Sequence, residues 1–298
     1  MSHDHHHSHS HEVGSLNKAF ILGITLNLAF VVAEFIAGLA THSMGLLSDA
    51  GHNLSDVASL VLAMLAFRLA KAQSTPQFTY GYKKSTVLVS LLNAVILLVA
   101  VGIIAAESVE KIIHPQPVQG DVIVWVAGVG VLINAFTAWL FVKDKEKDLN
   151  VKGAYLHLAA DALVSIGVVI SGIIIMQTGW MIVDPIIGLI VAGVIVYSTC
   201  GLLQDSIRLS LDGVPAGIDT KEIEQISRSV SGVKEIHHLH IWAISTTETA
   251  LTAHIVLVDL NDMERVKHEL KHLFAQKGIS HATLEFETTG VVCEQQCD

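Results

Sequence analysis

Two pairs of side chains have the types and spacing to hold a divalent metal ion: His52 with Asp56, and His157 with Asp161, each pair four residues apart in an apolar stretch. Residues at i and i+4 share one helix face, so each stretch presents an imidazole and a carboxylate in the same direction. Two nitrogens and two oxygens match the tetrahedral preference of Zn²⁺, and a carboxylate in hydrocarbon is costly enough that it normally marks a transport path. One such residue alone can simply bond a neighbouring helix or a backbone group. Two matched pairs, with the histidines and the aspartates repeating at the same interval, favour a shared metal site. Asp49, three residues before His52, is close enough in angle to hold its other ring nitrogen or to line the ion path.

The chemistry expected of four such ligands is exchange. Two ionised carboxylates without metal, enclosed in low dielectric, would repel each other and lose hydration, so an empty site is expected to take up protons. Metal binding requires neutral imidazole and deprotonated carboxylate and therefore expels them. With Zn²⁺ bound, the two Asp charges cancel the ion's two, and a neutral complex can be enclosed while the helices rock between inward and outward openings.

The elements that must position these ligands are membrane helices. Mean hydropathy is +0.55 and only 15% of the 298 residues are charged, a balance that belongs to membrane proteins. Six apolar runs, at 16–40, 43–70, 85–109, 121–142, about 152–176 and 180–203, approach or exceed the roughly 20 residues that cross a bilayer core. Drawn this way, the first ligand pair sits nearer the outer face and the second nearer the cytoplasm, unless the fifth helix starts earlier. Cations set the orientation. Lys18 lies at the start of the first run, Arg68, Lys71, Lys83 and Lys84 flank the second connection, Lys143, Lys145, Lys147 and Lys152 the fourth, and Arg208 follows the sixth, whereas only Lys111 lies opposite. Both termini are expected in the cytoplasm, with short connections outside.

Other polar groups in these runs, among them Asn27, Asn93, Asn134 and Asp184, are read as packing or interfacial residues. The chain shows no secretory pattern before its first apolar run. Cys200, Cys293 and Cys297 suit a reducing compartment and form no disulfide framework. A net charge of −10 argues against nucleic acid as a partner. Residues 1–15 hold histidines interleaved with Ser and Asp and read as a disordered tail that gathers metal, an expression tag being the plainer alternative.

Composition changes near Arg208. The expected domains are the tail (1–15), a six-helix transmembrane domain (16–207), a cytoplasmic regulatory and dimerisation domain (208–290), and a Cys-containing tail (291–298). The cytoplasmic part reads as a helix at 218–231, strands at 234–245 and 249–259, a helix at 262–277 and a strand at 281–288. This αββαβ order predicts an α+β ferredoxin-like or metallochaperone-like sandwich, entered through a linker at Gly213 and Pro215. His268-Glu269-Leu270-Lys271-His272 spells the signature of zinc peptidases, but Met263, Val266, Leu270 and Phe274 form the expected buried stripe. Both histidines then fall on the polar face, where peptidase chemistry has no support.

Four segments together resemble the cation diffusion facilitator family, including its bacterial zinc exporters and the related animal zinc transporters. They are Leu47 to His52 leading to Asp56, Tyr80-Gly81-Tyr82, Gly153 to His157 leading to Asp161, and His237 to Trp242. The resemblance covers nearly the whole chain. It implies six helices, a cytoplasmic domain, a homodimer, and export of divalent cations in exchange for protons, in a bacterial inner membrane. It further implies that His237, His254 and Glu287 stand where relatives hold metal at the dimer contact, with Glu285 where some have another His. Cys293 and Cys297 could join such a site, or be two idle thiols.

Three functions compete. A proton-coupled metal exporter leads, because a membrane metalloenzyme would need an open coordination position that two His and two Asp close. A passive channel or sensor would keep conducting after a proton gradient collapses. The chain has no Gly-x-x-x-x-Gly-Lys-Ser/Thr loop for ATP-driven transport. Zn²⁺ is the expected cargo and possible regulatory ligand, with Cd²⁺, Co²⁺ or Ni²⁺ as further substrates and membrane lipid as the surroundings.

Overall fold

A computed structural model describes residues 9–41, 44–114, 120–146, 148–180 and 182–289. The chain divides into two units, the first comprising residues 1–69 and 88–204, the second 70–87 and 205–298. Long helices build the first: α1 (His9–Thr41), α2 (Met44–Ala70), α3 (Ser85–Ile113), α4 (Gly120–Phe141), α5 (Leu149–Thr178) and α6 (Val183–Ser210). Over the described residues, Ser85–Ile113 and Val124–Phe141 are each long and apolar enough to cross a bilayer.

Most helix ends differ from the hydropathy boundaries for local reasons. Residues 9–15, expected in a disordered tail, continue α1, because adding a turn to a formed helix costs far less than nucleating one and no proline interrupts this stretch. Helix α5 starts at Leu149 rather than near Lys152, since the Asp148 side chain caps it, accepting from the Asn150 and Val151 backbone N–H groups. The extra residues set the second ligand pair roughly 4–5 Å deeper in its helix at about 1.5 Å per residue, which narrows the expected depth mismatch. Gly179 closes the helix in a left-handed conformation, φ 70°, its N–H donating to the Ile175 carbonyl.

Side chains sort in the opposite sense from a water-soluble bundle. Leu132, Trp125, Ile190 and Tyr197 are exposed on helix surfaces, an apolar exterior that suits lipid. The interior is closely packed and partly polar. Phe20, Leu60, Phe141 and Leu158 join α1, α2, α4 and α5, while Leu97, Val101, Ala160 and Ile195 join α3, α5 and α6. Gly23 permits the close approach of α1 to α4, because a Cβ there would stand 2.7 Å from Thr137 Cγ2. At the same contact Asn27 donates from Nδ2 to the Gly23 carbonyl at 2.9 Å and to Thr137 Oγ1 at 3.4 Å, the packing role expected of it.

The second unit holds α7 (Thr220–Ser229), β1 (Val233–Ala243), β2 (Thr249–Leu257), α8 (Met263–Gln276) and β3 (Ile279–Thr288), the predicted αββαβ order. The sheet runs β1-β2-β3, with β1 antiparallel and β3 parallel to β2. Ile223, Leu251, Ile255, Val266, Leu270 and Phe274 fill the core between helices and sheet. Met263 departs from the expected stripe and is exposed, because it opens α8 at the rim of the core. Asp212 adopts φ 56° just after α6, and the Gly213 N–H donates to the Arg208 carbonyl at 2.8 Å. A Cβ at Gly213 would stand 2.9 Å from that carbonyl oxygen, so this turn requires glycine.

The connector at 70–87 belongs to this unit. Lys84 Nζ donates to Asp212 Oδ1 at 2.6 Å and to the carbonyls of Leu209 and Ala243 at 2.8 and 3.0 Å. Lys83 Nζ meets Glu248 Oε2 at 2.6 Å, and the Thr246 N–H donates to Thr86 Oγ1 at 3.1 Å. Charge-assisted bonds of this kind contribute about 1.5–3 kcal/mol when well shielded and less at Lys84, which is partly exposed. Lys84→Ala is therefore expected to raise hydrogen exchange across 70–87 by about tenfold, the equivalent of about 1.4 kcal/mol. Unchanged exchange would mean that the ammonium contributes nothing to holding the connector.

Candidate metal sites

Helix α5 carries one ligand pair into the bundle. His157 and Asp161 are 5% and 8% exposed, and His157 Nε2 stands 3.6 Å from Asp161 Oδ2, so the i, i+4 spacing delivers both groups to one place. On either side of the pair, Leu158 and Ala160 lie in the two apolar clusters, which fixes the rotation of α5. His157 also lines a cavity of about 10 Å³, room for one water-sized species, together with Asn93 of α3 and apolar groups of α2, α5 and α6. Residues 52 and 56 lie on α2, on successive turns of one helix. The side chains of His52, Asp56 and Asp49 lie outside the described residues, as does that of Asp184.

A second cluster forms on the open face of the sheet, away from the α7 and α8 core. Register pairs His237 with His254 and His254 with Glu285. Glu287 reaches both imidazoles: Oε1 lies 2.5 Å from His254 Nδ1, and Oε2 lies 3.5 Å from His237 Nε2. Glu285 Oε2 stands 3.4 Å from His254 Nε2 from a largely exposed position. Among the described residues, His237, His254 and Glu287 form a group whose ligand atoms all lie within 4.8 Å of one another. Tetrahedral Zn²⁺, with bonds of about 2.0–2.2 Å, spaces its ligands roughly 3.3–3.6 Å apart, so small side-chain rotations would complete a site. His237 Nε2 is buried and makes no hydrogen bond, which leaves this nitrogen available to a cation.

A β-bulge assembles this cluster. Between His237 and His240, β1 advances three residues while β2 advances two, from His254 to Thr252. The extra residue reverses the alternation, so that Ile236 and Ile241, which a regular strand would place on opposite faces, both enter the core. His238 sits in the bulge at φ 49°. Its ring lies 4.9 Å from that of His254 and 5.4 Å from that of His237, centroid to centroid. Sequence reading passed over His238 because strict alternation turns it toward the core. The only local signal was the run of two histidines.

Cys293 and Cys297 lie outside the described residues. His268 and His272 are exposed on α8, opposite the buried Val266, Leu270 and Phe274, as expected of a chance match.

Comparison with known proteins covers both parts of the chain. A family model described as the cation efflux transmembrane domain matches residues 20–209, and one described as the cation efflux protein cytoplasmic domain matches 215–288. The chain belongs to the cation efflux family. A "Cadmium, cobalt and zinc/H(+)-K(+) antiporter" of Bacillus velezensis is 33% identical over 98% of this chain and 97% of its own length. The "Zinc transporter ZitB" of Escherichia coli is 32% identical, covering 96% of this chain and 93% of its own. The "Metal cation efflux system protein CzcD" of Cupriavidus metallidurans is 34% identical, with coverage of 97% and 91%. As a cation efflux protein, this chain is a multi-pass membrane transporter and not an enzyme, which removes peptidase chemistry from α8 and metalloenzyme chemistry from α5.

Proposed function

We propose that this chain exports Zn²⁺ from the cytoplasm in exchange for protons, by alternating access around His52, Asp56, His157 and Asp161. The observation that carries the reading is the His157–Asp161 pair, buried within the transmembrane domain and 3.6 Å apart. With the second pair on α2 it supplies two neutral nitrogens and two carboxylates, a set that binds a dication only by giving up protons. Cd²⁺, Co²⁺ and Ni²⁺ are further substrates of the same donor set, since affinity among these ions is settled by geometry and availability. A relative named as a proton-linked antiporter of cadmium, cobalt and zinc supports both the cargo and the exchange.

In this reading all six helices span a bacterial inner membrane, with both termini and the second unit in the cytoplasm, and two copies form a homodimer. His237, His254 and Glu287, assisted by Glu285, hold a regulatory metal near the contact between copies. Cys293 and Cys297 can reach that metal as soft ligands.

The test is zinc flux in proteoliposomes with an imposed pH gradient. Uptake should rise with the gradient and lose its concentrative component when an ionophore collapses it, while zinc added on one side should drive protons the other way. Continued zinc flux without a gradient, limited only by the zinc gradient itself and moving no protons, would indicate a channel. The His-rich amino terminus acts upstream of the site, as a capture tail. Deleting residues 2–11 is expected to raise the zinc concentration for half-maximal flux while preserving maximal turnover, and complete loss of flux would refute a capture role.

A further inference from the structure

Asn93 of α3 is 8% exposed, and its carboxamide Oδ1 is buried without a hydrogen-bond partner. Such an oxygen in a low-dielectric interior is costly and calls for an explanation, most simply a ligand that comes and goes. Asn93 lines the cavity of about 10 Å³ that His157 also lines, and among the described residues the rest of the lining is apolar. That volume admits one water-sized species, and among the described residues that line it Asn93 and His157 are the polar ones.

The cavity has a definite place relative to the ligand pairs. Its α5 lining is Gly153, Ala154 and His157, on the N-terminal side of His157, whereas Asp161 lies one turn beyond in the other direction. Its α2 lining is Leu60, one turn past Asp56 toward Ala70. Its α6 lining is Leu202, near the C-terminal end of that helix. All three place it between the ligand pairs and the end of the bundle that carries Arg68 and Lys152, the cytoplasmic end by the charge rule.

We infer that Asn93 forms a waypoint on the cytoplasmic side of the transport site, where its Oδ1 and the His157 imidazole receive an incoming divalent cation. The carboxamide oxygen replaces one hydration oxygen as the ion sheds water, and the ion then moves one helical turn to the carboxylates. Asn suits this step better than Asp because a neutral oxygen binds weakly enough to release the ion onward. The inference rests on the transport reading above and adds a residue outside its four ligands.

The test uses the full chain in proteoliposomes under an imposed pH gradient, comparing wild type with Asn93→Leu, Asn93→Asp and His157→Ala. Asn93→Leu keeps the volume and removes the oxygen. It is expected to raise the half-saturating zinc concentration by about tenfold, the scale on which single supporting groups tune metal affinity, with maximal flux within about twofold of wild type. Asn93→Asp restores an oxygen and should recover most of the loss in half-saturation. Thermal unfolding in detergent separates this from packing. An unchanged half-saturating concentration in Asn93→Leu overturns the waypoint, and so do equal losses in the Leu and Asp variants accompanied by equal falls in melting temperature. Undiminished flux in His157→Ala defeats the transport site itself, and the waypoint with it.

Discussion

Replacing Asp56 or Asp161 by alanine is expected to reduce gradient-driven zinc flux by about 100-fold or more, with the protein still folded. The reason is charge balance. In the proposed site two carboxylates neutralise the dication, and removing one would leave a complex with net charge +1 to be enclosed during the conformational exchange. A charge held in the hydrocarbon centre of a bilayer costs about 2.5–3.5 kcal/mol on insertion scales. At about 1.4 kcal/mol per factor of ten, that alone slows the occluded step by about two orders of magnitude, before any lost affinity. Asp161→Asn is the informative control, because it keeps the shape that packs at 8% exposure and removes only the charge. Substantial gradient-driven transport in both alanine variants, measured in proteoliposomes, would defeat the assignment of these residues.

The second large effect is expected in the cytoplasmic sheet. His254→Ala should remove one class of zinc sites from a calorimetric titration of the full chain, weakening that class by more than about 100-fold, since a ligand contributes more than the supporting groups worth 10–100-fold. His254 is central: its two ring nitrogens face Glu287 Oε1 at 2.5 Å and Glu285 Oε2 at 3.4 Å, and its ring stacks near those of His237 and His238. Asp161→Ala should leave this class intact and remove the other. The two variants therefore assign the binding events independently, and an identical titration for wild type and His254→Ala would show that the cluster holds no zinc.

Much of this architecture was legible from local patterns. Apolar runs long enough to span a bilayer marked α1 to α6, and alternating or 3.6-residue periodicity marked the αββαβ order. The His157–Asp161 juxtaposition was legible for the same reason, because a single helix carries both residues and helix geometry alone brings them together. His237, His254 and Glu287 were reachable through family resemblance, but periodicity alone would not have joined them. His254 and Glu287 are 33 residues apart and come together by parallel pairing of β2 with β3.

What escaped depends on contacts distant in sequence or on the shape of a space. The connector at 70–87 reads as a simple link between two helices, yet Lys83 bonds Glu248 across 165 residues and Lys84 bonds Asp212 across 128. His238 stands beside His237 and His254 only because a bulge adds one residue to β1. Asn93 reads as an ordinary packing residue in the sequence, yet its oxygen makes no hydrogen bond and the residue lines the cavity that His157 also lines.

The chain by itself thus determined its medium, its helices and which side chains are candidate ligands, because hydropathy and helical spacing are properties of contiguous residues. Tertiary structure decided which polar groups meet: the three-strand register behind the His237–His254–Glu287 cluster, and the cavity shared by Asn93 and His157. The physical reason is that register, bulges and voids arise from how separate segments pack, and no window along one segment contains that information.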